Sequence, residues 1–226
     1  MTSQSPDHTR SGAMRVRTPI PGEIDFSLMY FAHDAFARDL RRMAAAAAAG
    51  RGTDPSVRNG WETFKRQLHI HHVAEDESIW PQLREKVTAP RDVAVLDMME
   101  AEHGRIDPLL AQVDACLTAG SATGLAAAAQ EAADALIGHM EHEEDLALPL
   151  AQTHLGAAGW SKYVKYLQKT QGLGGAAEFL PWALDGASPA TRAEVLGKLP
   201  APVRLLCRLA FEPRYARTPR WNGITV

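Results

Sequence analysis

Two stretches of the chain repeat one arrangement of chemically active side chains. In HHVAEDESIWP, His71 and Glu75 stand four residues apart and Pro81 follows, and in HMEHEEDLALP the same places are taken by His139, Glu143 and Pro149. A lone histidine precedes each pair: His33 lies 38 residues before His71, and His103 lies 36 residues before His139. In an α-helix, positions i and i+4 share a face one turn apart, so each HxxxE pair can turn an imidazole and a carboxylate toward one centre. Burying four imidazoles and two carboxylates without a counter-charge would be costly, and a buried carboxylate would have to protonate or pair. Cations remove that penalty. Two carboxylates shared between two ions, with two histidines for each, suit a divalent or trivalent transition metal, and iron is the natural candidate when coordination positions stay open.

Positioning these groups falls to four long segments with helical periodicity. The first, about Asp25 to Ala49, places Phe26, Met29, His33, Phe36 and Leu40 at spacings of three and four, and Gly50 offers a C-cap. The second opens with Asp54 as N-cap and Pro55 in the first turn, and its stripe runs Val57, Trp61, Phe64, Leu68, His71, Glu75. The third, about Arg91 to Thr118, carries Leu96, Met99, His103, Ile106, Leu110, Val113 and Leu117. The fourth, about Ser121 to Leu155, carries Leu125, Ala129, Ala132, Leu136, His139, Glu143, Leu146 and Leu150. In each stripe a ligand-type residue replaces a hydrophobe in register. Four such helices joined by short connections predict an all-α, up-down-up-down four-helix bundle with the polar groups at one level. Pro81 and Pro149 predict a kink or a stop near the bundle end, and Pro108 a bend in the third helix.

The remaining composition narrows the function. The chain has 226 residues, 46% of them hydrophobic, and a net charge of −3, enough for a real core and with no basic block that would suggest nucleic acid. Cys116 and Cys207 lie far apart without CxxC spacing, which fits a reducing cytoplasm. No run is long and apolar enough for a bilayer, so a membrane role is not expected. Residues 1–23 read as a disordered tail, 24–155 as the bundle, and 156–226 as short additional helices, with Ser188 and Pro189 opening one of them, that pack on the bundle. A lid over the site, a homodimer surface or an anionic-membrane contact are the other roles open to this extension.

The residues His33, His71–Glu75, His103 and His139–Glu143, with Pro81 and Pro149 after the pairs, resemble the hemerythrin-like, or HHE cation-binding, family over about residues 25 to 155. The resemblance implies two non-haem iron ions with an oxo or hydroxo bridge, Glu75 and Glu143 bridging them, His33 and His71 serving one iron and His103 and His139 the other. It further implies reaction with small oxidants or gases such as hydrogen peroxide, dioxygen or nitric oxide. The chain departs from the oxygen-carrying hemerythrins, which have a second histidine four residues from the first on the third helix and a longer spacing before the fourth helix's carboxylate. Here those third-helix positions hold Met99 and Asp107. With two histidines for each iron, the expectation is catalase-like or peroxidase-like peroxide decomposition, and the alternative is a non-catalytic module that binds or senses iron, oxygen or nitric oxide. Tyr30, His72, Glu100 and Asp107, each adjacent to an expected ligand or within one helical turn of it, are candidates to complete an iron. Asp76, Glu77, His142, Glu144 and Asp145 lie a step off the stripes and read as solvated or outer groups. A ferritin-like carboxylate site would need two ExxH pairs, and only Glu100–His103 is present.

Overall fold

The computed structural model describes residue 15 and residues 17–226, whose regular structure is all helical, with no strand among them. Helices α1 (Ser27–Ala48), α2 (Pro55–Ser78), α3 (Trp80–Arg84), α4 (Pro90–Ala119), α5 (Ala122–His142) and α6 (Leu148–His154) build the bundle. Helices α7 (Gly156–Ala183), α8 (Pro189–Gly197), α9 (Ala201–Leu206) and α10 (Glu212–Ala216) follow. No helix among the described residues is long and apolar enough to cross a membrane.

The termini follow local chemistry. Asp54 accepts the Ser56 N–H at 2.8 Å with Pro55 in the first turn of α2, and Ser188 does the same for α8 through Thr191 at 3.1 Å. At the end of α4, Gly120 takes φ 67°, the left-handed cap that a Cβ would strain. Pro81 separates α3 from α2, with Ile79 at φ −100° and ψ −62° at the joint. Pro108, by contrast, lies inside an α4 that runs unbroken through it.

The core falls into two apolar clusters, and along each of the four long bundle segments the chain passes from one to the other at its histidine. Along α1 the order is Met29, His33, then Phe36 and Leu40; along α4 it is Leu96, Met99, His103, then Ile106. Both helices run from the second cluster into the first. The reverse holds for α2, where Phe64 and Leu68 precede His71 and Ile79 follows Glu75, and for α5, where Leu136 precedes His139 and Leu148 follows Glu143. This alternation is the up-down-up-down order, and it leaves the polar groups as one layer between two apolar blocks.

Two features differ from the sequence reading. The fourth stripe does not continue unbroken, because Glu143–Ala147 forms a π turn in which the Leu148 N–H bonds the Glu143 carbonyl five residues back. The additional residue advances the helical phase, so Ala147 and Ala151 are buried where Leu146 and Leu150 were expected, and Leu146 is 43% exposed. Pro149, which has no N–H to give a regular turn, follows immediately. The C-terminal helices are also not all short. Helix α7 spans 28 residues, broken at Gly172 (φ 56°, ψ −159°), a backbone conformation essentially confined to glycine.

These later residues join the bundle core. Leu180, Trp182, Leu184, Cys207 and Trp221 belong to the first apolar cluster, and Tyr163 to the second. Fully buried Asp39 of α1 accepts from Trp182 Nε1 (2.7 Å), Arg38 Nε (2.8 Å) and Arg42 Nη1 (3.3 Å), tying α7 to α1. Residues 1–14 and 16, most of the expected tail, lie outside the described residues. Its described end is held by the bundle: Arg17 bonds Glu144 and Asp34, and Arg15 bonds Glu144 and Asp145.

Candidate metal centre

Between the two apolar blocks, the layer gathers all six expected residues and one more. His33, His71, Glu75 and Glu143 form one group and His72, His103 and His139 a second, with the candidate donor atoms of each group all within 4.8 Å of one another. All seven side chains are buried, with Glu75 and Glu143 at 0% exposure. Donors around one transition-metal ion, each about 2.0–2.2 Å from it, lie at most about 4.4 Å apart, so each group is near the size that one ion requires.

Inward-facing atoms crowd one another, and several lack hydrogen bonds. His33 Nε2 faces His71 Nε2 at 3.2 Å, and His103 Nε2 faces His139 Nε2 at 3.1 Å. Glu143 Oε2 lies 3.1 Å from His33 Nε2 and Glu75 Oε1 3.0 Å from His71 Nε2. Even so, all four carboxylate oxygens of Glu75 and Glu143, and Nε2 of His72, are buried without a hydrogen bond. Groups of this kind cost a few kcal/mol each when left unsatisfied, and a cation in their midst would satisfy them together.

The outward-facing nitrogens are well served. His33 Nδ1 meets Glu144 at 2.8 Å, His103 Nδ1 meets Asp76 at 2.9 Å, and His139 Nδ1 meets Glu102 at 3.0 Å. A carboxylate on Nδ1 holds the proton there and turns the bare Nε2 lone pair inward, the tautomer a metal ligand needs. Asp76 and Glu144 each follow the glutamate of an HxxxE pair, and each crosses to the lone histidine of the other helical hairpin. These two off-stripe acids are thus not solvated spectators. Glu102 was not among the sequence candidates; its position beside His103, facing the helix that carries His139, was the available signal.

Without a cation the charges conflict. Burial disfavours a charged His33, but Glu143 and then Glu144 overcome it and lift its pKa to about 10. Burial, reinforced by the charge on His33, pushes His71 down to about 3, and burial with the neighbouring imidazoles holds His72 well below the usual range. Burial, then the charge of Glu143, drives Glu75 well above the ordinary carboxylate range. Two carboxylates in one dry pocket cannot both ionise against a single imidazolium, whereas they can around metal cations.

Of the four candidates to complete an ion, only His72 is in place. It stacks on His103 with ring centroids 4.0 Å apart, and the candidate donors fall into one group with two histidines and one with three, the fifth imidazole lying on α2. Tyr30 lies under the Arg17 guanidinium, 4.9 Å away. Glu100 is exposed and pairs with Arg84 at 2.7 Å, which also removes the ExxH alternative. Asp107 is exposed at the rim of a cleft between α2 and α4. Neither acid joins the two donor groups, because both lie on the outer side of α4.

The described residues thus hold a buried nitrogen and oxygen donor layer, carried by four antiparallel helices and braced by carboxylates on the far side of its imidazoles. A search of curated proteins and of solved structures gives no match to the chain. A family model described as the hemerythrin HHE cation binding domain matches residues 25–151, more than half of the 226 residues and the span that carries all seven donors. By that match and this geometry, the chain belongs to the hemerythrin HHE cation-binding family.

Proposed function

We propose that the chain holds two iron ions in this layer, with Glu75 and Glu143 shared between them, His33 and His71 on one ion and His72, His103 and His139 on the other, and that it decomposes hydrogen peroxide. The observation that carries the reading is the set of buried donors without a hydrogen bond: the four oxygens of Glu75 and Glu143, which have only the imidazoles of His33 and His71 beside them, and His72 Nε2 in the neighbouring group. A pair of adjacent redox-active ions, when bound, supplies the two-electron capacity that peroxide dismutation to dioxygen and water exchanges. The chain's own groups do the rest. Glu144, Asp76 and Glu102 fix three imidazoles in the ligating tautomer. Phe36 and Leu68 on one side, and Met99 and Leu148 on the other, belong to the apolar blocks above and below the layer.

The test is metal analysis with an optical spectrum of protein from iron-replete cells, followed by oxygen evolution from peroxide. Two irons per chain, near-ultraviolet bands of a bridged ferric pair and oxygen release abolished by Glu75→Ala or Glu143→Ala are expected. A stable, reversible dioxygen adduct of the reduced protein with negligible peroxide turnover sinks the reading. One observation favours a second reading, the sensing of iron, dioxygen or nitric oxide. Buried Tyr163 of α7 belongs to the apolar cluster on one side of the layer, together with Met99 and Leu148, so the C-terminal helices share packing with the helices that carry the donors. A sensor would change the exposure of α7 to hydrogen exchange on metal loading and would not turn over peroxide.

A further inference from the structure

The donor layer has a pseudo-twofold plan, but its two outer sides are closed differently. Glu144, on His33, is 4% exposed at its side chain, and Arg15 and Arg17 cover it. Its counterpart Asp76, on His103, is 49% exposed and borders a cleft of about 530 Å³ between α2 and α4. His72 and His103, two members of the three-histidine group, line the same cleft.

This space is larger than peroxide needs. A water molecule takes about 30 Å³, whereas roughly 300–1,000 Å³ is the range of sites for small organic molecules. Leu68, Val73, Trp80 and Leu110 give the cleft an apolar wall. Its cations are already neutralised: Arg84 is bonded to Asp97 and Glu100, and Lys65 to Asp114 and Glu62. An organic anion would therefore meet acids and committed cations. Trp80, 5% exposed, lines the cleft, and its indole N–H has neither an acceptor nor solvent contact, so a ligand oxygen relieves this unsatisfied donor when the ring turns toward the cleft.

We propose that the α2–α4 cleft is a binding site for a neutral, partly apolar organic hydroperoxide, its oxygen end at Trp80 Nε1 and the His72–His103 edge and its organic group on Leu68, Val73 and Leu110. The inference rests on the peroxide reading for the identity of the ligand's head group. The site itself is tested by binding alone.

The probe is 2-phenyl-2-propanol, the alcohol corresponding to cumene hydroperoxide, titrated into the metal-loaded protein and followed by the indole N–H resonance of Trp80. Saturable one-to-one binding is expected. Gly104 lines the cleft, and a Cβ there would meet nothing within 4 Å, so an alanine is accepted without a clash and with a gain in helix propensity, and a longer side chain extends from an open position. Gly104→Ala should bind nearly as wild type, and Gly104→Leu should raise the dissociation constant at least about tenfold, the scale of one aliphatic group in a small-molecule pocket. Trp80→Phe should weaken binding with metal content unchanged. Absence of saturable binding, equal binding by Gly104→Leu, or tighter binding of benzoate than of the alcohol overturns the proposal. Loss of peroxide turnover with alcohol binding intact would instead remove the peroxide reading and leave the cleft as an organic-molecule site.

Discussion

Replacing the carboxylates behind the imidazoles one at a time tests whether the layer is built for metal. Glu144→Gln, Glu102→Gln and Asp76→Asn each remove the charge that holds an Nδ1 proton, but their surroundings differ in a way that ranks them. Glu144 is 4% exposed; one of its oxygens takes His33 Nδ1 and Arg17 Nη2, and the other takes Arg17 Nε and Arg15 Nη1. An amide at this position turns a donor either toward Arg17 Nε and Arg15 Nη1, leaving His33 only a neutral acceptor, or toward His33 and Arg17 Nη2, which removes the His33 acceptor; in both states the charge behind His33 is gone. Loss of such a partner costs about 10- to 100-fold in metal affinity, or roughly 1.4–2.7 kcal/mol. Glu102 is 18% exposed and serves His139 at 3.0 Å and His142 at 2.7 Å, so its replacement should fall in between. Asp76 is 49% exposed, water can replace it, and Asp76→Asn should stay within about threefold of wild type. The assay is an anaerobic iron(II) titration of apo-protein against a chromophoric chelator at fixed pH. Equal affinities across the series, or the largest loss at Asp76→Asn, would refute the argument that buried carboxylates orient the ligands.

Three further outcomes are expected. Because the unpartnered donors of Glu75, Glu143 and His72 are satisfied only by cations, chelated protein should melt below the loaded form, with a stabilisation of about 4 kcal/mol when free metal is about 1,000 times its dissociation constant; equal melting temperatures would show that the layer does not bind metal in the folded state. His72→Ala should lower the metal content from two ions per chain toward one while leaving the first group filled, as read by elemental analysis, and unchanged stoichiometry would return His72 to an outer role. Asp39→Ala removes the acceptor of Trp182 Nε1 and one carboxylate partner of Arg38 and Arg42, which keep Asp185, so it should cost about 1–3 kcal/mol in urea unfolding; a loss below about 0.5 kcal/mol would mean that this buried carboxylate adds nothing to the hold of α1 on α7.

What could be read from the sequence, and what could not, separates along a physical line. Helix count, the order of the ligand-type residues and the level at which they meet are consequences of periodicity within single helices, and His33, His71, Glu75, His103, His139 and Glu143 occupy the stripes that periodicity assigns them. His72, Glu102, Asp76 and Glu144 lie one residue from a stripe residue, roughly 100° around a helix, and whether such a residue points inward is decided by how neighbouring helices pack. The cleft between α2 and α4 and the stacking of His72 on His103 are outcomes of that packing. The π turn at Glu143 was hidden for a related reason. An unbroken 3.6-residue period leads to Leu146 and Leu150, but one added residue moves the stripe to Ala147 and Ala151, and the hydrophobic pattern reads equally well in both registers because Leu148 follows. The repeat of the sequence suggests two equivalent halves. Their difference arises where no repeat exists, in Arg15 and Arg17 ahead of α1, which seal Glu144 while leaving its counterpart Asp76 open to the cleft. An internally duplicated ligand set thereby acquires one closed side and one open side, and it is on the open side, at His72 and His103, that an external molecule can reach the layer.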